Sequence, residues 1–212
     1  MKQHIKIAVI GGTGKSGKYL VRELLQQGFQ CKLLLRKPEN LTIKSSFIEV
    51  VKGDARDYGP IRLLIDGCDA VISTLGQPKG ETTIFSQATQ NVIRAMGECN
   101  VKRYLLITGL NVDTPFDKKG PKTKFATDWM KTNYPETTSD KQVEYEVLVN
   151  SDVDWTIVRL PLIEQTNEQR NIQISLEDCP GDKISATDLA HFLIRQLTED
   201  LYFRQAPFLA NV

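Results

Sequence analysis

Apolar runs of strand length alternate along this chain with stretches whose apolar positions recur every three or four residues. Ile5 to Ile10 (IKIAVI) is a β-rich run that ends in glycines, and Tyr19, Leu20 and Glu23 to Leu25 continue it as an amphipathic helix stopped by Gly28. Cys31 to Leu35 (CKLLL), Phe47 to Val51 (FIEVV), Ala70 to Thr74 (AVIST), Tyr104 to Thr108 (YLLIT) and Trp155 to Arg159 (WTIVR) supply further strands. Asp57 is placed to cap a short helix through Ile65 that Gly67 ends, and Phe85, Ala88, Val92 and Met96 mark one face of a longer helix. Lys141 to Val149 reads as another helix, as does Asp188 to Leu197 behind a cap at Thr187 or Ser185. Strands alternating with helices predict an α/β fold, a doubly wound parallel sheet with helices on both faces and small C-terminal elements beside it. From Asn111 to about Asp140 the rhythm breaks. That stretch is rich in Lys, Thr, Asp and Pro, carries Phe116, Phe125, Trp129 and Tyr134, and is expected to be a long irregular insertion of the functional kind.

Length and composition narrow the picture. With 212 residues, 41% of them hydrophobic and 25% charged, the chain reads as one domain, 1–212, with a sizeable core. A formal net charge of +1 gives no global field for nucleic acid or an anionic membrane, so neither is expected as a partner. The one basic cluster, Lys118, Lys119, Lys122 and Lys124, is read as a solvated face. Cys31, Cys68, Cys99 and Cys179 stand far apart without metal-ligand spacing, which predicts free thiols and no metal site. His4 and His191 are expected to be structural. The start of the chain has no leader-like apolar region, and no run is long enough to span a bilayer, so a cytoplasmic location is expected.

Candidate chemistry concentrates in residues 11 to 18, GGTGKSGK. The Gly-Lys-Ser within it resembles a phosphate loop, but that motif needs four residues between its glycines, and the position where the first glycine belongs is Val9, inside the strand. The same residues satisfy Gly11-x-x-Gly14-x-x-Gly17 and Gly12-x-Gly14-x-x-Gly17 between a first strand and a first helix, the Rossmann-type dinucleotide fingerprint in its proper context. Gly11 permits the tight exit from the strand, Gly14 lets the backbone approach a pyrophosphate, and Gly17 lets the helix pack closely. An NAD site places Asp or Glu at the end of the second strand to hold the ribose 2′-OH. Here Arg36 and Lys37 stand there instead, which favours the 2′-phosphate of NADP, with NAD as the lesser option and Lys15 as a further phosphate neighbour.

The run IAVIGGTGKSGKYLVRELLQQGFQCKLLLRKPENL, followed by VVKGDARD, CDAVISTLG, RYLLITG and DWTIVRLP, resembles the atypical short-chain dehydrogenase/reductases over nearly the whole chain. The single-domain NAD(P)H-binding branch that contains biliverdin-IXβ/flavin reductases and NmrA-like proteins is the most similar. The resemblance implies that Gly11, Thr13, Gly14, Lys15, Ser16 and Gly17 line the pyrophosphate and that Arg36 and Lys37 meet the 2′-phosphate. It further places Asp54 and Ala55 at the adenine, Thr74, Leu75 and Gly76 under the adenosine ribose, Thr108 near the nicotinamide, and Leu160, Pro161 and Leu162 beside the carboxamide.

The chain departs from the wider family at its catalytic centre. Alcohol-handling short-chain dehydrogenases use Y-x-x-x-K, in which the lysine tunes a tyrosine as acid or base. Lys141 falls at the lysine position, but the tyrosine position is Thr137, whose hydroxyl has no pKa in the working range. Tyr145, one helical turn beyond Lys141 on the same face, is the candidate replacement. Two functions fit. One is an NADPH-dependent oxidoreductase passing hydride to a flavin, quinone or similar conjugated small molecule, with Thr108, Lys141 and Tyr145 as the polar groups at the reacting centre and Phe125, Trp129 and Tyr134 in a lid. The other is a non-catalytic NADP-binding redox sensor of the NmrA type, acting through a protein partner. A sugar-nucleotide epimerase or dehydratase is less favoured, because the tyrosine is absent. Arg159 is read as an anchor for the turn that follows it.

Overall fold

The computed structural model describes residues 5–199 and 201–212; His4, expected to be structural, lies outside them. Among the described residues six α-helices flank an eight-stranded sheet: β1 (Lys6–Ile10), α1 (Gly17–Gln26), β2 (Gln30–Leu35), β3 (Ile48–Lys52), α2 (Tyr58–Ile65), β4 (Ala70–Ser73), α3 (Phe85–Cys99), β5 (Arg103–Gly109), α4 (Pro121–Asn133), α5 (Pro135–Val149), β6 (Asp154–Leu160), β7 (Leu162–Glu164), β8 (Ile172–Ser175), β9 (Lys183–Ser185), α6 (Ala186–Arg195) and β10 (Phe208–Asn211). The strand order is β3-β2-β1-β4-β5-β6-β10-β8, parallel throughout except for the last pair, and β7 and β9 form a separate parallel pair. The order reverses between β1 and β4, the switch point outside which ligands of open α/β sheets bind.

Period-two alternation along the strands divides the core. Ile7 and Val9 of β1, Leu33 of β2, Leu105 of β5 and Val158 of β6 face α1 and α6, whereas Ala8 and Ile10, Leu34, Leu106 and Ile157 face α2, α3 and α5. Both faces of the central strands are thus buried, which is why they read as continuous apolar runs rather than alternating ones. Gly28 and Gly67 adopt positive φ just beyond α1 and α2, as their helix-ending role requires. Ser185 caps α6, its hydroxyl accepting the N–H groups of Thr187 and Asp188. His191 of α6 pairs with Glu23 of α1 at 3.0 Å, joining the two helices on that face.

The insertion expected to be irregular is largely helical. α4 begins at Pro121 and is separated from α5 only by Tyr134, where Pro135 prevents a continuous helix, so α5 starts six residues earlier than the Lys141 boundary. α3 has Ile84 at its N-cap position, a residue that cannot cap. Asp140 of α5 serves instead, accepting Phe85 N–H at 2.8 Å and the Ser86 hydroxyl. The strands β7 to β10 were not foreseen: each is only three or four residues long, and their polar-interrupted runs carry little periodicity.

Candidate functional site

The glycine loop leaves β1 with Gly11 at φ +79°, where a Cβ would meet the Thr74 carbonyl at 2.7 Å. A Cβ on Gly17 would lie 2.1 Å from the Gly11 carbonyl oxygen and 2.7 Å from Thr74 Oγ1, so α1 starts in a space only glycine fits. Gly14 N–H donates back to Gly11 O at 2.9 Å, and the Thr74 hydroxyl donates to both Ile10 O and Gly11 O. Thr74 therefore fastens the strand exit, and its side chain is committed to the backbone rather than to a ribose. Thr13, Gly14 and Lys15 are exposed and Ser16 is buried; among the described residues, no acceptor takes the N–H groups of Thr13, Lys15 or Ser16. Unpaired N–H groups at the positive end of α1, with backbone approach unobstructed by side chains, form a cradle that fits a pyrophosphate.

At the end of β2, Arg36 and Lys37 are exposed. Arg36 Nη1 donates to both oxygens of Glu81, at 2.8 and 3.1 Å, and Arg56, two residues beyond Asp54, donates to the same carboxylate at 3.0 Å. Asp54 accepts the Arg56 N–H in a tight turn and stands 3.3 Å from the Arg56 guanidinium and 3.8 Å from that of Arg36. Ala55 is buried beside it, its carbonyl taken by Asn91. The hydrogen bond from Arg36 holds the Glu81 carboxyl below its ordinary range. Leu75 is half-buried and Gly76 exposed at the end of β4, with nothing within 4 Å of a Cβ at Gly76. Arg56 and Glu81 were not singled out by sequence reasoning; Arg56 stood two residues from a named aspartate, whereas Glu81 lies in a loop with no pattern.

The ends of β5 and β6 gather a second polar group. Thr108 is buried with its hydroxyl unpartnered among the described residues, and so are both amide atoms of buried Asn111. A Cβ at Gly109 would lie 2.3 Å from Asn111 Oδ1 and 3.9 Å from Lys141 Nζ, so glycine there lets Asn111 and Lys141 approach the strand end. Lys141 Nζ sits 4.8 Å from the Phe85 ring centroid. Burial holds its amine below the usual lysine range, and Glu144 only partly restores it. Leu160 is buried, Pro161 half-buried and Leu162 exposed at the neighbouring turn. Tyr145 does not join these groups as a poised acid. Its ring is in the core, edge-on to Trp155 with centroids 6.0 Å apart, and burial pushes its phenol up, away from neutral pH.

Glu144 is the unforeseen member. It is 4% exposed, accepts the Thr89 hydroxyl at 2.8 Å on one oxygen, and leaves the other without a partner among the described residues. Burial pushes its carboxyl up to about 7, against the Thr89 hydrogen bond and the Lys141 charge, which both lower it. The folded state keeps this proton from about pH 4.5 to about 7 while the unfolded chain loses it, so stability falls as pH rises through that window and then levels. Glu144→Gln should remove this loss, gaining on the order of 3 kcal/mol between pH 4.5 and pH 8 relative to the parent in urea titrations. Parallel stability–pH curves for the two proteins would exclude a raised Glu144.

The basic cluster is not a free patch. Lys119 is buried and donates to Leu110 O, Val112 O and Asp113, while Lys118 pairs with Glu177 and Lys122 with Asp182. Arg159, fully buried, donates to Ala206 O, Val112 O, Leu176 O and Asp117, and stacks on Phe208 at 3.6 Å. It thus anchors the segments around Val112 to Asp117, Leu176 and Ala206 to Phe208, and none of these bonds goes to the turn after it. Phe125, Trp129 and Tyr134 are exposed on and beyond α4, the last two in edge contact at 5.8 Å; Trp129 is therefore not a core residue.

A reversing parallel sheet with a glycine cradle at its switch point and guanidinium groups at the end of the next strand defines a dinucleotide-binding α/β protein. The chain belongs to the NAD(P)H-binding family, whose sequence pattern it matches over residues 11–200. It is similar to cinnamoyl-CoA reductase 1 of Petunia hybrida, 23% identical over 192 residues that cover 80% of this chain and 58% of that protein. It is also similar to photosystem II assembly factor Ycf39 of Trieres chinensis, 26% identical over 200 residues covering 91% and 60%. The chain thus spans about three fifths of the length of these curated relatives. Its fold is shared with ChuY, an anaerobillin reductase from Escherichia coli O157:H7, at a TM-score of 0.79 and 18% identity over 97% of each chain. Among the described residues no helix is long and apolar enough to cross a membrane.

Proposed function

We propose that the protein is a reductase that prefers NADPH and serves a conjugated small-molecule acceptor such as a flavin or quinone. The observation that carries this reading is the end of β5, where Thr108 and Asn111 bury a hydroxyl and an amide without partners among the described residues and Lys141 Nζ comes close to Gly109. When bound, a reduced nicotinamide supplies a hydride. In this reading Gly11, Thr13, Gly14, Lys15, Ser16 and Gly17 hold the pyrophosphate, Arg36 and Lys37 the 2′-phosphate, and Asp54 and Ala55 the adenine edge. Leu75 and Gly76 run along the ribose, with Thr74 fixing their path, and Leu160, Pro161 and Leu162 border the carboxamide. Thr108 and Asn111 orient the nicotinamide end of the ligand, and Lys141, with its lowered proton affinity, holds or releases a proton at Nζ nearer neutral pH than a free lysine does. No tyrosine is required for an acceptor that needs little help with its proton.

A second reading, an NADP-binding sensor that acts through a protein partner, is favoured by the exposed Phe125 and Trp129 on α4. Purified protein mixed with NADPH and a panel of flavins and quinones, followed at the nicotinamide absorbance band, separates the two. Turnover of at least one acceptor is expected, and tight binding with none across the panel favours the sensor. Arg36→Asp should lower the NADPH-over-NADH affinity ratio by about tenfold or more, since a charge-assisted hydrogen bond is worth about 1.5 to 3 kcal/mol. An unchanged ratio removes Arg36 from the 2′-phosphate site.

A further inference from the structure

Arg36 and Arg56 come from different strand ends, yet both aim Nη1 at one carboxylate, that of Glu81. An exposed carboxylate with one arginine is a weak and common arrangement. Two guanidinium groups converging on the two oxygens of a single anion are the geometry in which a phosphomonoester is held. The Glu81 segment is itself organised: Gly80 turns it at φ +74°, Gln77 Nε2 donates to Glu81 O at 2.9 Å and to Thr82 O at 3.2 Å, and Arg56 Nη2 holds Thr82 O at 2.9 Å. Arg36, Arg56, Asp54 and Glu81 sum to zero formal charge; without Glu81 the cluster is cationic.

We infer that Arg36 and Arg56 form one site for the 2′-phosphate of an adenosine and that the chain closes this site on itself with Glu81, which makes Glu81 the residue that sets discrimination between 2′-phosphorylated and unphosphorylated coenzymes. The inference rests on the NADP reading above and adds Arg56 as a second phosphate ligand. A 2′-phosphate dianion must displace the carboxylate to reach both guanidinium groups. An unphosphorylated ribose has no such need, because its 2′-OH can donate to the carboxylate where it stands. Glu81 therefore opposes the first ligand and tolerates the second, and its removal changes their ratio rather than affinity in general.

Calorimetric titration of the full chain with adenosine 2′,5′-bisphosphate and with 5′-AMP tests this, using the parent, Glu81→Gln, Arg56→Gln and Arg36→Gln. Glu81→Gln is expected to tighten the bisphosphate by about tenfold and to leave 5′-AMP within about threefold, as release of a competing intramolecular ion pair requires. Arg56→Gln is expected to weaken the bisphosphate by about tenfold. A Glu81→Gln gain that is absent or equal for both ligands overturns the inference, as does an Arg56→Gln protein that binds the bisphosphate like the parent. A bisphosphate preference that survives both substitutions unchanged and disappears in Arg36→Gln would sink the Glu81 closure and leave the NADP reading standing. No preference for the bisphosphate in the parent or in Glu81→Gln would overturn both.

Discussion

Gly17→Ala is expected to destabilise the protein by about 2 to 3 kcal/mol, in the range of overpacking substitutions, and to abolish dinucleotide binding. The added methyl would sit 2.1 Å from the Gly11 carbonyl oxygen and 2.7 Å from Thr74 Oγ1. Neither neighbour can yield cheaply. The Gly11 carbonyl already accepts Gly14 N–H and the Thr74 hydroxyl, and Thr74 is tied by its own N–H to Ile10 O at 2.9 Å. Relief therefore requires the first turn of α1 to move off the strand exit, which carries the unpaired N–H groups of Lys15 and Ser16 with it. A fall in urea midpoint at unchanged slope, together with loss of NADPH-induced thermal stabilisation, is the expected pair of readouts. Stability within about 0.5 kcal/mol of the parent, the spread of neutral surface changes, would show that the close approach does not exist.

Arg159→Met should be costlier, about 3 to 5 kcal/mol, because it strands a charge rather than merely removing a contact. The Arg159 side chain is 1% exposed and that of Asp117 10%, with 2.6 Å between guanidinium and carboxylate. Without the guanidinium, Asp117 keeps only Thr114 and a lysine nitrogen, Lys119 Nζ, at 3.5 Å. The carbonyls of Val112, Leu176 and Ala206 lose their shared donor in the same step. Asp117→Asn in the same chain should recover part of the loss, since it removes the stranded charge; equal stability of the single and double variants in urea unfolding would place the cost elsewhere.

The strands and the glycine loop could be read from the sequence because burial on both faces writes itself as unbroken apolar runs, and because the tight exit at Gly11 and the close approach at Gly17 exclude every other residue. Arg36 was legible for a similar reason: its position after the second strand is fixed by the loop before it. Glu81 was not, because it meets Arg36 across 45 residues and its loop has no periodicity. Glu144 carries no signal in the sequence; only the packing of α5 against α3 shows that it is buried, and no local pattern encodes that. Helix α4 was hidden by its composition, since a helix with exposed Phe125 and Trp129 and few buried positions lacks the apolar stripe by which helices are recognised. Tyr145 shows the converse difficulty. Its spacing from Lys141 was correct for a shared face, but the ring is long enough to reach Trp155 and pass into the core.

The carboxylate of Asp140, which takes the first N–H of α3, also bears on how the chain folds. With Ile84 where a capping residue belongs, the opening turn of α3 stays incomplete until α5, 55 residues further on, has docked. A helix of the N-terminal half of the chain is thus capped by a group from the C-terminal half. A fragment ending before α5 lacks that group, so the first turn of α3 should exchange its amide hydrogens faster there than in the full chain.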